Sequence, residues 1–470
     1  MVETNRSAVP RLGGVGARLR RRPSADGRSA LTGFCVLLLL IPAVLVFGPL
    51  GAAGSPAVLC GLGLLAWWLC VRMVPGLPIA RGYQPVRIAV AVFAVAVVLS
   101  YLYGSLSALT GTERSGADRG LLMVASWSGI ALVAADLLRA RRSIETLLKR
   151  LVVLGAVIAA IGVLQFTSVI DIAGAVKIPG LSVNGVFQTV QTGGPVRRVA
   201  GTASHPIEYG MVLALILPFA FHYTFAATRR KGMWWLMTIL IGVALPMSLS
   251  RSAILAVAAE LIVLFWIWPP RRRLAAVAVA PVFLVALRLV IPGLVGTMVS
   301  LFSNAANDPS LQGRADSRSA AGALIIRSPW LGRGFNTYIP ANFLELGLQG
   351  VNHGSLDNQY LGSMVEMGAV GLIALIMLLL VSMGVARGIR ARSSDPETRN
   401  LGQAFFAAFL ATAIGMATFD GLGFAMFTGL FMLLLGTAGA LWRVTKAEYD
   451  SERRLVEPKR VRVGALGMTR

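Results

Sequence analysis

Residues 360–399 read YLGSMVEMGAVGLIALIMLLLVSMGVARGIRARSSDPETR. From Met367 to Ala386 there is no charged residue, and from Arg387 onward the stretch turns basic. A helix rising 1.5 Å per residue needs about 20 apolar residues to cross ~30 Å of hydrocarbon. The run at 360–384 supplies them, and eleven further runs repeat the pattern at 31–49, 55–72, 86–106, 120–138, 151–170, 206–225, 233–249, 252–268, 274–292, 401–419 and 423–442. The expected fold is therefore an all-α polytopic membrane protein of about twelve transmembrane helices, an even number that puts both termini on one side.

Composition supports that class. Of 470 residues, 56% are hydrophobic and only 14% charged, against about 25% charged in a soluble domain. The net charge of +23 does not make the chain a disordered nucleic-acid binder, which would be poor in Leu, Val, Ile and Phe. With the amino terminus inside, 33 of the 44 Lys and Arg residues fall in the inside segments and 11 elsewhere, as the positive-inside rule requires. A span added or dropped would reverse every later loop. The expected organisation is a basic cytoplasmic tail (1–30), a membrane domain (31–442) and a second basic tail (443–470). Two extracytoplasmic loops exceed turn length, 171–205 and 293–359, the larger lying between spans nine and ten.

Local signals refine this frame. The basic run Arg18, Arg20, Arg21 and Arg22 reads as an orientation signal, and the first span as an uncleaved helix despite the small residues Gly51-Ala-Ala-Gly54. Asn184-Gly185 between apolar residues predicts a short hairpin, and a helix is expected from Leu311 to Arg327, ended by Pro329. Cys35, Cys60 and Cys70 lie in apolar runs without ligand or disulfide spacing. Asp136, near the inner end of span four, is expected to snorkel. Glu260 lies ~14 Å below the outer end of span eight, where an intramembrane carboxylate is either functional or hydrogen-bonded inside the bundle.

Polar residues with chemical potential gather on the expected outer side. The segment 197–210 holds Arg197, Arg198, His205 and Glu208, and Arg251 stands in the short turn between spans seven and eight. The large loop adds Arg314, Arg318, Arg327, Arg333, His353 and Asp357, and Glu366 lies about two turns into span ten. Guanidinium groups bind phosphate oxygens bidentately, so Arg198, Arg251, Arg314 and Arg333 are candidates for holding a lipid diphosphate in the outer leaflet, with His205 and Glu366 as further substrate-binding candidates. His353, one helical turn before Asp357, is a candidate base. On that reading the two share a helix face and Asp357 orients the imidazole. Nucleotide-binding, metallopeptidase and nucleophile-elbow motifs do not occur, no metal site is expected, and no cytoplasmic segment is large enough to bind a nucleotide sugar.

Four pieces of this pattern resemble the O-antigen ligase and O-antigen/exopolysaccharide polymerase superfamily of bacterial membrane glycosyltransferases. Arg198-Val-Ala-Gly-Thr-Ala-Ser-His-Pro is similar to its Arg-x-x-Gly-Thr-x-x-(Asn/His)-Pro. Leu249-Ser-Arg-Ser-Ala is similar to its Ser-Arg-(Gly/Ser) helix start. Gly313-Arg314 with Pro329-Trp-Leu-Gly-Arg-Gly334 resembles its large-loop motif, and Asp357-Asn-Gln-Tyr-Leu followed by Glu366-Met-Gly resembles its following helix. The ligases carry a His-Asn pair where this chain has Asp357-Asn358, its histidine coming four residues earlier, which favours a polymerase or a ligase with another acceptor.

The resemblance implies transfer of an oligosaccharide from polyprenyl diphosphate (undecaprenyl diphosphate in bacteria) to an acceptor hydroxyl. The expected setting is the outer face of the bacterial cytoplasmic membrane, in cell-envelope exopolysaccharide synthesis. It implies no cofactor and no metal, the arginines offsetting charge on the leaving diphosphate. The partners are then the lipid-linked donor, a glycan or lipid-linked acceptor, the bilayer, and flippase and chain-length-regulator proteins, with no nucleic acid. The competing readings are a twelve-span transporter or lipid-linked oligosaccharide flippase and a lipid-II-type polymerase.

Overall fold

The computed structural model describes residues 27–75, 79–80, 82–107, 109–167, 172–184, 190–191, 197–303, 321–338 and 356–456. The first helix, α1 (Gly27–Leu40), stops before Pro42, and the chain passes through a two-residue strand, β1 (Leu45–Val46), and a 3-10 turn over Gly48–Gly54. Helices α2 (Pro56–Met73), α3 (Pro85–Ser105), α4 (Gly111–Leu137) and α5 (Arg141–Phe166) follow. Proline at the first position of α2 and α3 fixes φ where no N–H partner is needed. Thr110 and Glu113 form a capping box at the start of α4, satisfying two otherwise orphan donors.

The 171–205 loop contains α6 (Ile172–Ala175), β2 (Ser182–Val183), β3 (Val190–Gln191) and β4 (Arg198–Val199). Strand β2 pairs antiparallel with the distant β1, and β3 with β4; residues 185–189, which include the second arm of the expected hairpin, lie outside the described residues. Asn184 donates its N–H to the Val44 carbonyl at 2.8 Å, so the segment is tied to the linker after α1.

The chain continues with α7 (Pro206–Ala226), α8 (Lys231–Ala244), α9 (Arg251–Ile267), α10 (Pro270–Val290) and α11 (Leu294–Ser303). Next comes α12 (residues 321–327), the described part of the helix expected from Leu311. It ends before Pro329, as expected. Helices α13 (Gln359–Arg392), α14 (Pro396–Met416) and α15 (Ala425–Val456) complete the fold. The last runs well past residue 442, so the beginning of the expected tail is helical.

Every one of the twelve apolar runs contains a helix, but among the described residues nine helices, counting α8 on through the 3-10 turn to Ser248, are long and apolar enough to cross a membrane. The chain is an all-α polytopic membrane protein. The other three fall short in length or in apolar content, with visible causes. Pro42 cuts off α1 after 14 residues, α9 has 17, and α14 opens on the polar Glu397-Thr398-Arg399-Asn400. At the centre stands α15, packed on α4, α13 and α7. A Cβ at Gly436 would collide with the Ala131 carbonyl of α4, so glycine permits the close backbone approach that membrane helices use.

Asp136 does not snorkel. It is fully buried, paired with Arg87 at 2.9 Å and accepting from Trp68 Nε1 at 3.0 Å. Removing its charge from water is offset by these partners.

Candidate functional site

The segment 198–206 is built by a series of backbone captures. Gln165 of α5 receives the Gly201 N–H at 2.9 Å and donates to the Gly201 carbonyl at 3.0 Å. Gly201 has φ +60°, and a Cβ there would run into the Tyr209 ring, so both dihedral and space demand glycine. Thr202 donates its hydroxyl to Leu39 and accepts at its carbonyl from Ala43 N–H. His205 then caps α7, its Nδ1 accepting from Ile207 N–H at 3.1 Å, and Pro206 occupies the first helical position. This geometry makes physical sense of the motif: glycine and threonine clamp the loop, while Arg198 and His205 are delivered to its two ends.

Arg198 reaches the neighbouring turn, where its Nε donates to the Ser248 carbonyl at 3.3 Å. Leu249, at φ +47°, ends the 3-10 turn Pro246–Ser248, and Ser250 caps α9 by accepting from Ala253 N–H. Arg251 is thereby fixed as the first residue of α9. Burial, and then the like charge of Arg251, holds Arg198 below the usual guanidinium range. Two arginines share one small region, and the charge of Arg251 raises the cost of charging Arg198.

Burial and the Arg198 charge also depress His205, to about 4, against an opposing pull from Asp357. The ring is therefore neutral at pH 7. Because Nδ1 accepts a backbone N–H, the ring hydrogen resides on Nε2. Asp357 stands at φ +45°, a left-handed conformation that Asp tolerates. Asn358 caps α13 by accepting from Leu361 N–H at 3.1 Å. The helix thus begins at Gln359, after Asp357; of the turn expected over 353–357, residues 353–355 lie outside the described residues. His353 itself, like Arg314 and Arg318, lies outside the described residues.

Asp420, in the link between α14 and α15, faces the same cluster. Burial first, and then the Asp357 charge, pushes its carboxyl up to about 6, with a hydrogen bond from Gly423 opposing. The link is pinned to α13 by Gln359, whose Oε1 accepts from Leu422 N–H at 2.7 Å. Glu208, fully buried, accepts from Met426 and Phe427 N–H at the start of α15 and from Ser204. This carboxylate at a helix N-terminus ties α7 to α15. The starts of α7, α9, α13 and α15 thus meet at one end of the bundle.

Arg333 and Glu366 are placed differently. Arg333 makes a forked pair with Glu113, Nη2–Oε1 2.9 Å and Nε–Oε1 3.2 Å. The Glu366 carboxylate accepts from Tyr338 N–H, and its carbonyl from Arg333 and Gly334 N–H and from Ser100. Gly332 (φ +65°) lies where a Cβ would strike that carbonyl, and Gly368 (φ +64°) kinks α13 against Trp330. The glycines of Pro329–Gly334 therefore let this loop dock backbone-to-backbone on the kink of α13, and Arg333 and Glu366 fasten it. Arg327 is exposed on α12.

Residues 236–376 match the family model described as O-Antigen ligase. The matched stretch is of the O-antigen ligase/polymerase superfamily. No curated protein matches the chain. The ligase-like stretch includes Arg251, Arg314, Arg333, His353, Asp357 and Glu366, whereas Arg198, His205 and Asp420 come from outside it and are brought to its edge by folding. Sequence reading missed Asp420, although the signal exists: it is the single charged residue between Arg399 and Arg443. Glu208 and Gln359 show no comparable mark of their fastening roles.

Proposed function

We propose that this protein transfers an oligosaccharide from a polyprenyl-diphosphate donor to an acceptor hydroxyl, without a metal, at the extracytoplasmic face. The observation that carries this reading is the meeting of Arg198 and Arg251 with His205, Asp357 and Asp420 at one end of a ligase-like membrane bundle.

The acceptor oxygen attacks the anomeric carbon of the donor sugar. The bond from that carbon to the diphosphate oxygen breaks, and its electron pair leaves on the diphosphate. Arg198 and Arg251 offset the charge that develops there, doing so best in the transition state, when that charge appears. The acceptor proton passes to the Asp357–Asp420 pair. A carboxyl raised to about 6 is better matched to taking a proton near neutrality than an ordinary one at about 4. Neutral His205 offers Nε2–H as a hydrogen-bond donor to substrate oxygen. The diphosphate is already an activated leaving group, so no nucleotide is consumed.

The test is purified protein in detergent or nanodiscs with a polyprenyl-diphosphate-linked oligosaccharide, with and without exhaustive chelation. Expected are longer glycan and one released polyprenyl diphosphate per bond formed, unchanged by chelator. Lipid-linked sugar that crosses vesicles without glycan growth would replace this reading with transport. Reporter fusions near Asn342 and Ser394 check the face: the first is expected to be active outside and the second silent, and the reverse result would overturn it.

A further inference from the structure

At the end of the bundle away from the candidate site, α9 and α13 flank α14, on which both pack. Between them lies a cavity of about 700 Å³. Arg387 and Arg390 of α13, Arg399, Gln403 and Phe406 of α14 and Trp266 of α9 line it. Among the described residues no acidic side chain lines it, and none of the three arginines forms an ion pair with another described residue. The same end shows what paired arginines look like: Arg141 bridges Asp395 at 2.6 Å and Glu145 at 2.9 Å. Three guanidinium groups thus line a space to which the described residues bring no counter-charge.

The flanking surface is apolar. Trp266 is 70% exposed, and Ile262 of α9 and Leu380 of α13, about a turn or more deeper in their helices, are exposed as well. In a membrane, exposed aliphatic residues face acyl chains, and tryptophan sits at headgroup level. Basic cavities between transmembrane helices match phosphate headgroups, which planar guanidinium grips by its fork.

We propose that this cavity binds the phosphate headgroup of an anionic phospholipid through Arg387, Arg390 and Arg399, with the acyl chains lying over Ile262 and Leu380. A soluble phosphate shares the headgroup chemistry but gains nothing from the apolar flank, and this is what the test separates.

The full-length protein in detergent is titrated with brominated anionic phospholipid, brominated zwitterionic phospholipid of the same chains, or inorganic phosphate. Quenching of Trp266 is read as the difference between wild type and Trp266→Phe. Saturable quenching by the anionic lipid, at least about tenfold tighter than by the zwitterionic one, is expected, with no displacement by millimolar phosphate. Arg390→Gln with Arg399→Gln should abolish that preference. Arg453→Gln with Arg454→Gln, which removes the same charge elsewhere, should keep it. Equal quenching by both wild-type lipid titrations would mean unselective boundary lipid, and displacement by inorganic phosphate would mean a soluble-anion site. Either result overturns the proposal without relying on the folding of any variant.

Discussion

Arg251 and Arg333 lie in one matched stretch, and the sequence offers both as diphosphate ligands, but their surroundings differ in kind. The fork of Arg333 is filled by Glu113, a nearly buried carboxylate that also caps α4. Arg251 stands beside a second guanidinium, that of Arg198, whose charge it disfavours. A pair that is already neutral fastens a loop. Two guanidinium groups brought into one region by the loop at 198–206 and the turn at 246–250 are instead placed to act together on one anion. Identical side chains are therefore separated by what faces them.

The largest expected effect tests that contrast directly. Arg251→Lys keeps the charge but loses the planar fork, and should lower turnover by about 100-fold or more with normal membrane insertion. Purified protein assayed for released polyprenyl diphosphate is the measure, and near-normal turnover would erase the distinction from Arg333.

Asp420→Asn should cost about tenfold or more in turnover while raising stability. As pH rises from about 4 to about 6, an unfolded Asp420 releases its proton before the folded one, whose carboxyl titrates near 6. Stability from this group is lost over that window and stays lower above it. The amide should therefore raise unfolding free energy by about 2 kcal/mol at pH 7.5 and by little at pH 4, as read by thermal melts in detergent. Equal destabilisation at both pH values would mean that the Gly423 hydrogen bond outweighs the burial of charge.

Arg333→Ala should act on stability first. It leaves Glu113 nearly buried and without its cation, costing about 1–2 kcal/mol, below the range for a fully buried pair because Arg333 is a fifth exposed. Adding Glu113→Gln should recover part of that loss, and turnover per folded molecule should change little. A fall in turnover as deep as that of Arg251→Lys, at an unchanged melting temperature, would move Arg333 into the substrate site.

The smallest effect is expected at His205. Asparagine keeps an N-cap oxygen, so His205→Asn should cost a few tenths of a kcal/mol where alanine costs about 1. The native ring titrates near 4 against 6.5 ordinarily. The unfolded chain takes the proton first as pH falls below 6.5, and stability declines towards pH 4. The asparagine variant should lack that part of the acid sensitivity. A melting curve unchanged in its pH dependence would contradict the burial of the ring.

Helix number and placement were largely readable because hydrocarbon imposes a length and an apolar content on each crossing, a constraint local to about 20 residues. One misjudged boundary has a local cause too, since Pro42 interrupts a run, 31–49, that an average over many residues treats as continuous. Burial was not readable. The apolar stretch of α10 is 6% buried and that of α15 is 94% buried, yet α10 is the more apolar. In lipid, an apolar side chain satisfies its neighbours equally well whether they are acyl chains or other helices.

Alone, the sequence determined that this chain crosses a membrane many times, gathers its chemistry-bearing residues in the loops between the crossings, and carries glycines where backbones must touch. These are properties of single segments, set by hydropathy, charge and the absence of a Cβ. Only the tertiary structure decided that Arg198 and Arg251 share a site while Arg333 is spent on Glu113. It also decided that Asp357 precedes its helix instead of lying in it, and that Asp420, more than 60 residues further along, completes the cluster. The role of a charged group is set by the dielectric and the partner charges within a few ångströms, and those neighbours are supplied by the fold.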